Sequence, residues 1–182
     1  MKTTHFGTML LLKDAPARAT PLSGRTYIDN LIPLIKESRF SLDVIQYQWN
    51  FYLHKKPYHA SKPCCKSGSL IQLLNNTVLA AVRRGVKLQV LLNKEGGLPQ
   101  STAINQRSHR ILSEAGARVK FGRSFPVTHA KMWLIDDDIS ILGSHNLSER
   151  SVTVNDEVSI LIRSKEVNQE LKRYFKLLFQ RT

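Results

Sequence analysis

The sequence predicts a single α/β domain, spanning residues 1–182, built around a sheet of about seven strands. The chain length lies within the usual range for one domain. Short apolar segments typical of strands alternate with longer segments in which apolar residues recur every three or four positions. A chain of this length can form a core without a metal or a disulfide framework, and its 42% of hydrophobic residues excludes a disordered polar chain.

Seven segments have the length and composition of strands. They are residues 8–12, 42–47, 86–92, 119–121, 129–135, 139–143 and 158–162. The acidic run Asp136-Asp137-Asp138 separates two of them and is typical of a hairpin turn, a simpler interpretation than a metal site.

Four segments have the apolar periodicity of amphipathic helices: residues 25–38, 69–84, 101–115 and the stretch from residue 164 to the end of the chain. Ser101 and Ser164 are the expected N-caps of the last two. Pro33 is expected to kink the first helix or to mark its true start.

The positive charge is concentrated in one part of the chain. The whole sequence carries 27 Lys and Arg against 14 Asp and Glu, a formal charge of +13, and residues 51–123 contribute thirteen of the basic residues but only two acids. Such a segment attracts polyanions by neutralising phosphates and releasing counterions. A solvated basic surface without a ligand is the simpler alternative.

The sequence contains neither an apolar run long enough to span a membrane nor spaced cysteine pairs. Cys64 and Cys65 are adjacent, which does not suit a disulfide framework. We therefore expect a cytoplasmic protein if the chain is complete, and a periplasmic or secreted one if a leader was removed.

The most informative feature is a fixed pattern in the last third of the chain, H-x-K-x4-D-x6-G-S-x-N. Its residues are His129, Lys131, Asp136, Gly143, Ser144 and Asn146. Residues two apart on a strand share a face, so His129 and Lys131 are expected to project together from one strand, with Ser144 and Asn146 just beyond the end of the next.

These four side chains supply an imidazole, an ammonium, a hydroxyl and a carboxamide. This set suits a phosphodiester, because it combines a nucleophile or proton carrier with donors for the non-bridging oxygens. A lysine two residues from the histidine disfavours a divalent metal there, so we expect chemistry without a metal or another cofactor.

The pattern resembles the catalytic signature of the phospholipase D superfamily. The resemblance extends to the segments Phe125-Pro126-Val127-Thr128, Arg83-Arg84-Gly85-Val86 and Asn155-Asp156-Glu157, which are similar to those of the small bacterial endonucleases of that family. It implies a mixed sheet with helices on both faces, an α/β/α sandwich.

The resemblance also implies roles for individual residues. His129 would attack phosphorus and form a phosphohistidine, Lys131 and Asn146 would bind phosphate oxygens, and Ser144 would assist them. Glu157 would accept a hydrogen bond from the His129 ring and fix its tautomer. Asp136 belongs to the signature, but its place at a strand end indicates a structural or supporting role. His145 occupies a variable position and is interpreted as non-catalytic.

The mechanism requires two imidazoles. In-line displacement needs a neutral nucleophile on one side of phosphorus and a charged acid on the other, and one imidazole cannot be both at once. The chain has one copy of the pattern, so we expect a homodimer in which two His129 side chains meet near the two-fold axis.

An insertion at about residues 48–66 is rich in aromatic and basic residues. Trp49, Phe51, Tyr52 and Tyr58 are candidates for stacking on unpaired bases, with packing within the loop as the alternative. The candidate substrate-binding residues are Lys131, Asn146, Trp49, Lys55, Lys56 and Arg123.

The same insertion also contains the residue types of a zinc site, His54, His59, Cys64 and Cys65, although adjacent cysteines are unusual for one.

Three functions are consistent with these features. The favoured one is a metal-independent nuclease acting on DNA or RNA, with single strands preferred. The second is a phospholipase D-type lipid phosphodiesterase acting, for example, on cardiolipin, since a basic surface also binds anionic headgroups. The third is a nucleic-acid-binding module without catalysis.

Overall fold

The structure is a computed structural model. It describes residues 3–4, 7–8, 14–51, 69–94 and 99–182, and it describes side chains over the same ranges from residue 14 onward, except at 99–101. The strand predicted at residues 8–12 therefore lies outside the described residues, apart from residue 8. The chain begins with two short antiparallel strands, β1 (Thr3–Thr4) and β2 (Gly7–Thr8).

Seven further strands form one mixed sheet. They are β3 (Arg18–Ser23), β4 (Ser41–Gln46), β5 (Lys87–Leu92), β6 (Arg118–Phe121), β7 (Met132–Ile135), β8 (Ile139–Gly143) and β9 (Val158–Arg163). Their order across the sheet is β3-β9-β8-β7-β4-β5-β6. The neighbours from β3 to β4 are antiparallel, whereas β4, β5 and β6 are parallel. The sheet of about seven strands that the sequence predicts is confirmed.

Helices cover both faces of this sheet. They are α1 (Arg25–Glu37), α2 (Leu70–Arg83), α3 (Pro99–Glu114), α4 (Glu149–Thr153) and α5 (Lys165–Gln180). Alternate residues of β4 show the two sides: Val44 belongs to a large core with residues of α1, α2, α3 and α4, whereas Ile45 belongs to a smaller core with Leu171 and Phe175 of α5. This alternation follows from the two-residue period of a strand.

Four local expectations from the sequence need correction. The strand β3 was not predicted. The helix α3 begins at Pro99, two residues before Ser101. Pro33 lies inside α1 and does not mark its start. The strand β7 begins only at Met132, because pairing with β4 and β8 starts there, so His129 and Lys131 precede the strand.

The two edges of the sheet carry different residues. We call the edge at which β4, β5, β6 and β8 end, and β7 and β9 begin, the carboxyl edge. At the opposite edge, the Asp136 carboxylate accepts hydrogen bonds from the backbone amides of Arg39, Phe40 and Ser41, at 3.0, 2.8 and 3.0 Å. Asp136 has a φ of 46°, a conformation that Asp tolerates better than most residues. It therefore fixes the turn into β4.

A carboxylate on α4 holds the start of α2. Glu149 accepts hydrogen bonds from the Ser69 hydroxyl at 2.5 Å and from the backbone amides of Leu70 and Ile71 at 3.1 and 3.3 Å. The first amides of a helix have no partner within the helix, and its N-terminus favours negative charge. Glu149 thus joins α4 to the start of α2.

Candidate active site

The pattern residues come together at the carboxyl edge, except for Asp136. His129 and Lys131 lie just before β7, Ser144 and Asn146 follow β8, and Glu157 precedes β9. These three strands are neighbours in the sheet, so their ends at this edge are close. Asp136 lies at the other end of β7 and contacts backbone amides there, so it is not among the side chains gathered at this edge, and its contacts are those of a structural residue.

Lys131 and His129 are in direct contact. The ammonium nitrogen of Lys131 is 3.1 Å from Nδ1 and 3.3 Å from Nε2 of His129, and it donates to the backbone oxygen of His129 at 2.8 Å. Lys131 is 8% exposed, whereas the His129 side chain is exposed to solvent. Burial lowers the pKa of Lys131, and the nearby carboxylate of Glu157 partly offsets this effect.

Tyr47, which immediately follows β4, forms one wall of the site. Its ring centroid is 4.7 Å from that of His129, with the planes tilted by 58°, and the Lys131 ammonium lies 5.0 Å from the centre of the Tyr47 ring. From the sequence, Tyr47 was predicted only to end a strand. Its place at the carboxyl end of a central strand is the signal that could have identified it.

Glu157 gathers hydrogen bonds from residues around the G-S-x-N element. It accepts from the hydroxyls of Ser144 and Ser151, the latter at 2.9 Å, and from the Asn155 amide at 3.3 Å. Partial burial raises the pKa of Glu157, but these hydrogen bonds and the positive charge that His145 can carry outweigh burial and leave the pKa below its usual value. The hydrogen bond from the His129 ring that the resemblance implies remains a prediction.

Ser151 was not identified from the sequence. Besides donating to Glu157, its hydroxyl accepts a hydrogen bond from the backbone amide of Asn146 at 2.9 Å. The segment after β4 holds the other side of this loop, since Leu147 donates to the Gln48 backbone oxygen at 2.9 Å and accepts from the Asn50 amide at 2.8 Å. Asn146 is therefore held between two segments.

Gly143 is required by close packing. A Cβ atom at this position would lie 2.4 Å from Cα of Ser159 and 2.5 Å from its Cβ, far inside contact distance. The glycine therefore allows β8 and β9 to approach each other directly beside Ser144. This gives a physical reason for the glycine of the pattern.

His145 points into the core, away from the site. It is 0% exposed, its ring stacks on Tyr27 with centroids 4.2 Å apart and an interplanar angle of 3°, and its Nδ1 lies 2.8 Å from the Ser159 hydroxyl. Burial lowers the pKa of His145, and Glu157 partly raises it again. Because neighbouring residues of an extended chain point to opposite sides, the buried ring directs Ser144 and Asn146 outward.

The insertion residues have different outcomes. The prediction that Trp49 binds substrate is wrong: it is 0% exposed, its indole donates to Asn75 at 2.8 Å, and its ring packs against Trp133 and Phe51. Phe51 is buried as well and cannot stack on a base. The remaining candidates lie outside the described residues: Tyr52, Tyr58, Lys55, Lys56, His54, His59, Cys64 and Cys65.

Arg123 is exposed beyond the end of β6, on the same edge as His129. Over the part of the chain that the structure describes, no group of three or more His, Cys, Asp or Glu side chains is arranged to hold a metal ion. Likewise, none of the described helices is long and apolar enough to cross a bilayer. The carboxyl edge therefore presents the exposed His129 imidazole beside the Lys131 ammonium. The amide of Asn146 and the hydroxyl of Ser144 lie on the loop that follows β8.

The family model described as "Cardiolipin synthase, PLD-like domain" matches residues 31–179. Among curated proteins, the 5'-3' exonuclease PLD3 of Xenopus laevis is 26% identical over 172 residues, covering 91% of this chain and 32% of the relative. Cardiolipin synthase B of Escherichia coli K12 is 30% identical over 92 residues, covering 50% of this chain and 22% of the relative. The chain thus spans a third or less of the length of these two relatives.

Solved structures show the same fold over nearly the whole chain. The phospholipase D family member Nuc from Salmonella typhimurium has a TM-score of 0.67 at 14% identity, covering 90% of this chain and 95% of that one. NucT from Helicobacter pylori has a TM-score of 0.68 at 17% identity, covering 91% and 97%. The predicted fold class, a mixed sheet flanked by helices on both faces, is confirmed.

Proposed function

The chain belongs to the PLD-like domain family of the phospholipase D superfamily, and we propose that it is a metal-independent phosphodiesterase that hydrolyses nucleic acid, with single strands preferred. The contact between the Lys131 ammonium and the exposed His129 ring is the observation that carries this proposal. The charge of +13 and the similarity to an exonuclease favour a nucleic-acid substrate over a small diester.

A ring nitrogen of His129 attacks phosphorus and displaces one ester oxygen. Lys131 and Asn146 bind the non-bridging oxygens, on which negative charge accumulates in the transition state. A protonated imidazole gives its proton to the leaving oxygen, so the product is an alcohol and the rest of the substrate stays bonded to His129 through phosphorus. Water then attacks this phosphohistidine, the second imidazole takes the water proton, and a phosphate monoester leaves.

The second imidazole comes from another copy of the chain in this proposal. Of the three histidines that the structure describes, His145 is buried against Tyr27 and His109 stacks on Phe121. Exposed apolar side chains flank the site and suit an interface between copies, with Phe125 81% and Val158 64% exposed. A two-fold dimer would bring two His129 side chains to one phosphorus.

The test is cleavage of labelled single- and double-stranded DNA and RNA in excess EDTA, with His129→Ala as the inactive reference. We expect cleavage to persist in EDTA and to vanish in the variant. Val158→Asp should yield monomers in sedimentation and should lose cleavage together with dimerisation. Val119→Asp places the same charge against the core, so its effect shows what a loss of folding alone would do. Dependence on a divalent ion, or full activity of a stable monomer, would refute the proposal.

A lipid phosphodiesterase is the second candidate, favoured by the description of the family model and by the similarity to cardiolipin synthase B. The same preparation should be tested on vesicles of cardiolipin or phosphatidylcholine. Release of headgroup without cleavage of any oligonucleotide would reverse the order of the two. Binding of oligonucleotides with a steep salt dependence, but without cleavage of either substrate, would support the third alternative, a binding module.

A further inference from the structure

Exposed cations occupy the side of the molecule formed by α3 and the ends of β5 and β6, which we call the α3–β6 flank. They are Lys94, Arg107, Arg110 and Arg123. None of the four forms an ion pair with another residue of the described ranges. Their charges are therefore not neutralised by the described part of the chain, and they remain oriented toward solvent.

Two features place these cations on adjoining elements of the fold. Leu92 of β5 is the register partner of Phe121 of β6, so Lys94 and Arg123 each follow two residues beyond this pair. The His109 ring stacks on Phe121, with centroids 4.9 Å apart and an interplanar angle of 6°. This stacking holds the turns of α3 that carry the two arginines against the end of β6.

A hydrogen bond connects the flank to the active site. The side-chain amide of Asn105 on α3 donates to the backbone oxygens of Tyr47 at 2.8 Å and of Asn93 at 2.9 Å. Tyr47 in turn packs on His129. The middle of α3 is thus fixed to Tyr47, which forms a wall of the candidate site. A nucleic-acid strand that leaves this site can continue onto the α3–β6 flank.

The outer side of α3 carries a shallow, open groove between side chains. Ala103, Gln106, Arg107 and Arg110 line it. The small side chain of Ala103 leaves room between the longer side chains, so that guanidinium groups project beside open space. Guanidinium groups bind phosphate oxygens in a bidentate manner, which makes such a groove suited to successive phosphates.

We propose that the α3–β6 flank binds the phosphodiester backbone of a single nucleic-acid strand beyond the phosphate that is cleaved. The inference rests on the proposed function, because it extends the substrate from the site at His129. The contacts are to phosphates alone, so binding here is independent of base sequence and depends strongly on salt. The flank favours long strands over short diesters.

The test measures binding of a fluorescein-labelled 25-nucleotide single-stranded DNA by anisotropy between 50 and 300 mM salt. All proteins carry His129→Ala, so cleavage plays no part. The variant Arg107→Gln/Arg110→Gln is compared with Lys165→Gln/Lys176→Gln, which removes the same charge from exposed positions of α5 on the other face of the sheet. Circular dichroism of each protein confirms that it is folded.

We expect the arginine pair to reduce the slope of log Kd against log salt by about 1.4, or about 0.7 for each lost contact, and to raise Kd roughly 20-fold at 0.1 M salt. The lysine pair should leave the slope unchanged. Equal effects of both pairs, no effect of either, or no binding by the parent would overturn the inference. Hydrolysis of bis(p-nitrophenyl) phosphate by the unaltered protein tests the proposed function separately, because this diester is too short to reach the flank.

Discussion

The ammonium of Lys131 lies 3.1 Å from Nδ1 of His129, closer than an unscreened pair of positive charges would tolerate. An ammonium is only a donor, and it lies at similar distances from both ring nitrogens, so the contact suits a neutral imidazole, which has a lone pair on one nitrogen, better than a protonated one. In the proposed mechanism this neutral ring is the nucleophile. In the proposed mechanism, a phosphate that enters the site gives the ammonium an oxygen to bind, and the ring nitrogen then becomes available to attack phosphorus.

The first prediction concerns this ammonium. Lys131→Met keeps the length and apolar stem of the side chain but removes its charge, so kcat should fall about 10²- to 10³-fold, as for the loss of one transition-state donor. The measurement is steady-state hydrolysis of an oligonucleotide. Lys87→Met, an exposed lysine at the opposite edge of the sheet, is the matched control. An equal loss in both variants would show that Lys131 acts only through net charge.

Tyr47 is predicted to position both His129 and Lys131. Replacing it with Leu removes the ring that contacts the imidazole, so kcat should fall roughly tenfold, with a smaller change in KM, because the nucleophile loses its orientation. Tyr47→Phe retains the ring and should recover most of this loss. If the Phe variant is as impaired as the Leu variant, the hydroxyl of Tyr47 is the important group and the packing argument fails.

His145 should make the stability of the protein depend on pH. Burial lowers its pKa in the folded state, so the unfolded chain binds more protons once the pH falls below about 6.5. Stability is therefore highest above this pH and decreases as the pH falls from the unfolded pKa towards the folded one. His145→Phe, which keeps the stacking on Tyr27, should lose less stability between pH 8 and pH 5.

The measurement for His145 is the difference in Tm between pH 8 and pH 5, compared with the same difference for the unaltered protein. Val154→Ala, at an exposed position without a titratable group, is the control and should keep the pH dependence of the parent. An identical dependence in the His145→Phe variant would show that the buried ring does not titrate in this range.

The Glu149 carboxylate should stabilise the domain through α2. It accepts three hydrogen bonds at the start of that helix, so Glu149→Ala leaves helix amides without a partner and should lower the free energy of unfolding by about 1–3 kcal/mol. Urea unfolding measures the change. Asp156→Ala, at an exposed position near the same edge, should change it by less than about 0.5 kcal/mol. Comparable losses in both variants would contradict the capping role.

Much of the fold was predictable because its elements carry local signals. The strand β8 occupies the predicted residues 139–143, and Ser164 caps α5 by accepting from the Val167 amide. The strand β3 carries little signal: of its six residues only Leu22 is buried, and it contains Pro21, which an edge strand tolerates. The helix α4 has five residues, too few to show an apolar period.

The candidate site was predictable where the spacing of the pattern defines it. His129, Lys131, Ser144 and Asn146 occur at one edge of the sheet, although the first two precede the strand on which they were placed. Contacts between distant segments were not predictable. Trp49 stands beside a basic segment in the sequence, but backbone pairing with Leu147 and the hydrogen bonds that it donates to Asn75 of α2 and Asn105 of α3 hold it in the core.

The most direct measurement is to trap the intermediate. An oligonucleotide labelled at each end in turn is mixed with the protein and quenched in alkali, which preserves a bond between phosphorus and a histidine nitrogen. The protein is then digested and analysed by mass spectrometry. We predict that one labelled fragment is attached to His129, that acid releases it, and that His129→Asn yields no adduct. Cleavage without any adduct, or an adduct on another residue, would contradict the assignment of His129 as the nucleophile.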